Sequence, residues 1–354
     1  MISSGVKIRE LPSLRPHLLD GAIILWALVS APFAVYMAVE AGRGWALTAL
    51  LAGPVAATLR RHPAAAATAL VVGASILRLS FVGFSGSDPI AVSQWAAERA
   101  LSGLDPYAGH VYPSGTVYPY GPLGLLTYQA GVPGEFIGIT ATSVLLIWAR
   151  AWLTLAFMNS WPQFLYTPVI GNNDYSVGFL LALAIVYLRL RPMVGMGLLA
   201  TAIAVKPYAA AWFLPALGYV GFGAAAVVGI ATSLVLWSPV LLLWGLPSFM
   251  DSIVALEQGK RPSAAVPSWA FADIPALRLL VVPLSALGVI LRSWTAMALL
   301  GAAGFIAFLG FAPWAHHANL GAVLPIVGLV AEWRPQVRHA TERSVPAISA
   351  VARA

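Results

Sequence analysis

The residues best placed to do chemistry begin in the stretch Ser85 to Leu126, SGSDPIAVSQWAAERALSGLDPYAGHVYPSGTVYPYGPLGLL, which carries three of the chain's 13 carboxylates. Asp88 follows an apolar run directly and precedes Pro89. A carboxylate at such a boundary can take the proton from an attacking hydroxyl as a general base. It can equally be the N-cap of the helix that Pro89 opens, and the two roles are compatible. Asp105-Pro106-Tyr107 and Tyr118-Pro119-Tyr120-Gly121-Pro122-Leu123 follow as turn-forming segments. Their tyrosines suit an interfacial aromatic belt or stacking on a sugar. The second segment leads into GLLTYQAGV, read as a helix whose first amides could hold an anion.

A second set of polar residues punctuates the apolar runs farther along. Lys206 is one of only three lysines. It closes the apolar run GMGLLATAIAV ahead of Pro207-Tyr208, with no acid nearby in sequence. It either snorkels to the interface or takes an anionic partner, for which a lipid phosphate is the expectation. Asn172, Asn173 and Asp174 open another apolar run and read as a cap cluster or a contact to a donor sugar. His316 and His317 sit in PWAHHANL. Adjacent histidines diverge on a helix, so one of them hydrogen-bonding a phosphate is a better reading than a metal pair, and no metal site is expected. Arg78 and Arg150 lie within apolar runs and are expected to face the bundle interior or a polar cavity, with Arg78 a weaker candidate for phosphate.

The elements that must position these residues are membrane helices. Hydrophobic residues make up 60% of the chain and charged residues 9%, far below the roughly 25% of soluble domains. Continuous apolar runs exclude the alternation of a β-barrel. The expected fold is therefore all-α, a polytopic transmembrane bundle. Candidate spans fall near 18–41, 44–59, 64–84, 118–133, 136–158, 173–190, 193–206, 208–220, 222–245, 275–291, 294–312 and 318–332, about twelve in all. An amphipathic helix after the third span should lie along the membrane surface.

Charge orients this topology. With the N-terminus inside, twelve of the 20 basic residues fall in internal loops and tails, and seven of the 13 acids fall outside. Both termini are expected in the cytoplasm, and the first helix is expected to be retained rather than cleaved. The net charge of +7 forms no aromatic-interleaved patch, so nucleic acid is not an expected partner. The absence of cysteine removes disulfides and thiolate chemistry. No nucleotide-binding, zinc-protease or serine-hydrolase motif occurs in a fitting context, so the substrate should already be in the membrane.

SDPIAVSQWAAERALSGLDPY, VYPYGPLGLL, IGNNDYSVGF…AVKPYAAAWFLPAL and APWAHHANLGAVLPIV together resemble the integral-membrane C-type glycosyltransferases that use polyprenyl-phosphate sugars. Within these they are most similar to the family of the polyprenyl-phosphate-mannose-dependent mannosyltransferase of phosphatidylinositol mannoside synthesis. The resemblance covers about residues 64 to 330. It implies a GT-C-like core over 64–332, preceded by a helical hairpin at 1–63 and followed by a cytoplasmic tail at 333–354.

It further implies Asp88 as the base and Lys206, His316, His317 and Arg78 as binders of the donor phosphate. Asp105, Tyr107, Tyr118, Tyr120, Asn172, Asn173, Asp174 and Tyr208 would then be contacts to donor or acceptor. The implied activity is inverting transfer of a sugar, mannose by analogy, to a lipid or glycan acceptor on the extracytoplasmic face of the cell membrane, with no cofactor. A transporter or lipid flippase, and a noncatalytic relative that binds polyprenyl lipids, are the alternative readings. Sequence leaves the oligomeric state open.

Overall fold

A computed structural model describes residues 15–82, 88–109, 116–127, 129, 131–169, 174–259, 275–312 and 317–333. It is all-helical, with no strand among the described residues. Among the described residues three helices are long and apolar enough to cross a membrane: Pro16–Val39, Pro63–Ser80 and Ala224–Trp244. Their large apolar side chains Leu28, Val35, Val39, Leu234, Val235, Leu242 and Leu243 are all exposed.

The N-terminal hairpin is α1 (Arg15–Val39) and a 3₁₀ stretch running into α2 (Ala52–Thr58). It packs against α3 (Pro63–Ser80), and α1 also packs against α7 (Trp152–Ser160), so it shares one core with the rest of the chain. Pro63 starts α3 where the missing N–H costs nothing. After α3 comes α4 (Asp88–Leu101), as expected from Asp88-Pro89, and then a very short α5 (Gly124–Thr127).

Two expected spans differ from the sequence reading. Over 118–133 there is no continuous helix: residues 117–121 are irregular and α5 is four residues long, because two of its neighbouring amides are drawn to another helix, as described below. The run 136–158 is two helices, α6 (Gly131–Ala149) and α7. Arg150 breaks them apart in a left-handed conformation, φ 59°. The Ala151 amide closes back on the Leu146 carbonyl in the manner of a helix C-cap. Arg150 is therefore exposed at a turn, not inside the bundle.

The remaining elements are α8 (Pro162–Tyr166), α9 (Tyr175–Leu190), α10 (Pro192–Val205), α11 (Phe213–Val220) and α12 (Ala224–Pro239). They continue with α13 (Leu246–Gly259), α14 (Val281–Leu291), α15 (Trp294–Gly310) and α16 (Leu320–Glu332). The pairs α9–α10, α10–α12, α6–α9, α9–α16 and α14–α15 form the heart of the packing. Successive rods run in opposite directions, so their turns gather at two ends.

One end collects exposed Arg60, Arg61, Arg150, Arg189, Arg191 and Arg292 at its turns. There Arg189 lies over the rings of Trp294 and Trp333, at 4.9 and 5.5 Å. Glu332 also binds the first amides of α7, Leu153 and Thr154, each at 3.0 Å. The opposite end carries the polar residues considered next.

Candidate functional site: a buried Lys206–Asp174 centre

The N-terminus of α9 is the anchor of the site. Its first amides need acceptors, and Asp174 occupies the cap position without supplying one. The acceptor comes from another helix. Glu135 of α6 takes the amides of Tyr175 and Ser176 at 2.8 and 3.2 Å and the Ser176 hydroxyl at 2.6 Å. The close approach depends on Gly138, one turn along α6, where a Cβ would stand 2.6 Å from the Ser176 nitrogen. The cap role expected for Asp174 thus belongs to Glu135, and the Asp174 carboxylate is left to turn elsewhere.

It turns to Lys206. The residue before a proline is pushed out of the helical region, and Lys206 ends α10 in an extended conformation, φ −136° and ψ 118°. Its ammonium then meets Asp174 Oδ1 at 2.7 Å. Tyr208, two residues on, donates its phenol to the same oxygen at 2.6 Å, and Asn319 at the start of α16 donates its amide at 3.0 Å. Lys206 is 4% exposed and Asp174 3%. The anionic partner that Lys206 was expected to need is thus a carboxylate from 32 residues upstream.

The loop Tyr118–Leu123 closes this centre. The last carbonyls of α10 lose helical partners because Pro207 has no N–H. Gly121 and Leu123 fill the gap, donating to Val205 and Ala204 at 3.0 and 2.9 Å. Any side chain at Gly121 would collide with the Ala204 carbonyl. Of the amides around this helix start, those of Gly121 and Leu123 are spent on α10, and that of Gly124, the first of the helix expected to offer an anion site, on the Gly121 carbonyl. The docking lays the Tyr120 ring 5.0 Å from the Lys206 ammonium, with the Tyr208 ring at 5.3 Å, favourable placements for a cation over aromatic faces.

Above the loop, a second apolar cluster joins the Ser85–Leu126 stretch to the end of α12 and to α13. Val92 and Ala96 of α4 meet Tyr107, Tyr118, Leu125, Val240 and Phe249, with Trp95, Tyr120, Trp237 and Trp244 at its edge. Asp105 fixes the connection: Oδ1 accepts the Tyr107 amide at 2.9 Å and Oδ2 accepts the Ser248 hydroxyl of α13. Burial, with Asp105 beside it, pushes the Tyr107 phenol well above its ordinary range, so it stays protonated. Tyr120 belongs to both clusters and links the aromatic layer to the Lys206 centre.

No family model matches this chain. Nor does any curated protein or solved structure compared with it.

Of the expected site residues, the structure brings together Tyr120, Asp174, Lys206 and Tyr208, with Tyr118, Tyr107 and Asp105 in the layer above. Arg78 is elsewhere and already occupied. Its guanidinium, fully buried, donates to the Phe164 and Met158 carbonyls at 3.1 Å each and to Asn159 Oδ1 at 3.0 Å. That is a structural clamp on the ends of α7 and α8, and the role of phosphate ligand does not fit it. Asn172, Asn173 and His316 lie outside the described residues, as do the side chains of Asp88 and His317. Among the described residues no three His, Asp or Glu side chains gather as a metal ion would require.

Glu135 is the residue that sequence reading missed. A lone carboxylate in the apolar run GEFIGI was itself a signal, since a charge there must find donors. Asn319, in the segment PWAHHANL, is a second such residue.

Proposed function

We propose that the chain is a polytopic membrane glycosyltransferase that moves a sugar from a polyprenyl-phosphate donor to a lipid or glycan acceptor. One observation carries the reading: segments separated by up to 201 residues, containing Tyr118–Leu123, Asp174, Lys206–Tyr208 and Asn319, meet at one end of the bundle around a buried ammonium. These are segments on which the sequence resemblance rests. The bundle is read as about twelve spans, the hairpin α6–α7 replacing the expected span over 118–133. The Arg-bearing end is read as cytoplasmic and the Lys206 end as extracytoplasmic.

In this reading Asp88 removes the proton from the acceptor hydroxyl, whose oxygen attacks the anomeric carbon opposite the phosphate. The bond from that carbon to the phosphate oxygen breaks with inversion, and the polyprenyl phosphate leaves with the electron pair. Lys206 gives one N–H to Asp174. Its others serve the departing phosphate, and Asp174 holds the ammonium aimed. The ion pair is neutral as a unit, so the phosphate needs further donors, for which His316 and His317 are the candidates.

The test is transfer of radiolabelled mannose from polyprenyl-phosphate mannose to extracted membrane lipids by the protein in nanodiscs. Transfer by the wild type and its loss in Asp88→Asn are expected. No transfer, or full transfer by Asp88→Asn, refutes the reading. Movement of the donor across the bilayer without transfer would replace it with a flippase.

A further inference from the structure

The Tyr107 phenol is one of two buried side-chain polar atoms with no hydrogen-bond partner among the described residues, the other being the Gln163 carbonyl oxygen. Tyr107 is 3% exposed. A donor out of water and unpaired is unfavourable, and native proteins rarely keep one without a reason. Looseness of the loop is not the reason. The backbone around Tyr107 is pinned on both sides, by Asp105 Oδ1 on its own amide and by Arg99, whose Nε donates to the Asp105 carbonyl at 3.0 Å. Ser248 ties the same aspartate to α13. The phenol is therefore held in place with no partner for its hydrogen bond among the described residues.

Its surroundings are rings. Tyr118, Trp244 and Phe249 have centroids 5.6, 5.9 and 5.3 Å from that of Tyr107. Tyr118 and Phe249 are buried and form the floor, while Trp244, Trp237 and Tyr120 are half-buried and form a rim. From Tyr107 the rings continue through Tyr118 to Tyr120 and so to the ammonium of Lys206. Aromatic faces stack on the C–H faces of sugar rings, and a fixed phenol among them adds one directional hydrogen bond, the combination by which small polar ligands are oriented in mostly apolar sites.

We infer that the rings around Tyr107 form a subsite for a hydroxyl-bearing sugar ring, entered past Trp244 and Tyr120, with the Tyr107 phenol as its hydrogen-bond partner. The subsite deepens the transferase reading and rests on it for the role of the bound sugar, which is the acceptor next to the donor phosphate at Lys206. Sugar specificity is then set by α13 and the Asp105–Tyr107 turn rather than by the charged centre.

Saturation-transfer NMR with methyl α-mannopyranoside and methyl α-glucopyranoside tests the subsite on the full chain in nanodiscs. The wild type should saturate the ring protons of at least one glycoside. Tyr107→Phe should bind it about 10-fold more weakly, the loss of one hydrogen bond, with a melting temperature equal to or above the wild type because an unpaired buried hydroxyl is gone. Trp244→Leu, at the half-buried rim, should also weaken binding. Saturation of neither glycoside by the wild type, or binding by both variants equal to the wild type, overturns the inference; the latter is what a phenol satisfied by an ordered water would give. The mannose transfer assay separates the two readings. Glycoside binding without transfer leaves the subsite and removes the transferase, whereas transfer with an unchanged acceptor KM in Tyr107→Phe removes the subsite alone.

Discussion

Removing both halves of the Lys206–Asp174 pair should cost clearly less than the sum of removing each alone. At 2.7 Å, and at the effective dielectric constant of about 20 suited to such sites, the attraction is worth about 6 kcal/mol. Desolvating the two ions offsets most of that, so the pair as a whole adds little to stability. Asp174→Ala leaves the ammonium buried at 4% exposure and takes an acceptor from Tyr208 and Asn319. A loss of about 3–5 kcal/mol is expected. Lys206→Met leaves Asp174 holding the two neutral donors, and about 2–3 kcal/mol is expected. The double variant should fall short of the sum by about 2–4 kcal/mol. With 13 tryptophans and no cysteine, intrinsic fluorescence during SDS unfolding in mixed micelles is the natural readout. Effects additive within about 0.5 kcal/mol would show that the two side chains do not interact and would refute the centre.

Three further outcomes follow from the same geometry. Arg78→Lys should destabilise the fold by about 2–4 kcal/mol in the same assay, because one ammonium cannot replace a guanidinium fork reaching three acceptors, while leaving the KM for the donor unchanged; a selective KM effect would return Arg78 to the site. Glu135→Ala should cost about 2–3 kcal/mol by exposing the first amides of α9, and Glu135→Gln under half of that because an acceptor oxygen survives, a difference read from the same unfolding curves. Since the chain has no cysteine, single cysteines at Arg150 and Asp105 should report opposite sides of the membrane to an impermeant maleimide in intact cells, and labelling of both from one side would break the proposed topology.

The expected centre was legible in part because charges in oily segments are few and each must be explained. Lys206 stood out for having no acid nearby in sequence, and the structure answers with Asp174, from the turn before an adjacent helix. The reading over 118–133 failed because hydropathy does not register that Gly121 and Leu123 give their amides to α10. Arg150 was misplaced for a related reason: an apolar run can double back at a single left-handed residue without any Pro or Gly to announce it.

Composition and the apolar runs by themselves determined an all-helical chain suited to lipid, and Asp88-Pro89 located the start of α4. These are local properties, set by hydrophobicity and by the backbone limits of proline. Only the tertiary structure decided which carboxylate caps α9, which partner Lys206 takes, that Arg78 clamps α7 and α8, and that the Tyr107 phenol has no partner among the described residues. Each of those depends on donors and acceptors brought together from distant segments, and a buried polar group takes whichever partner packing puts within reach.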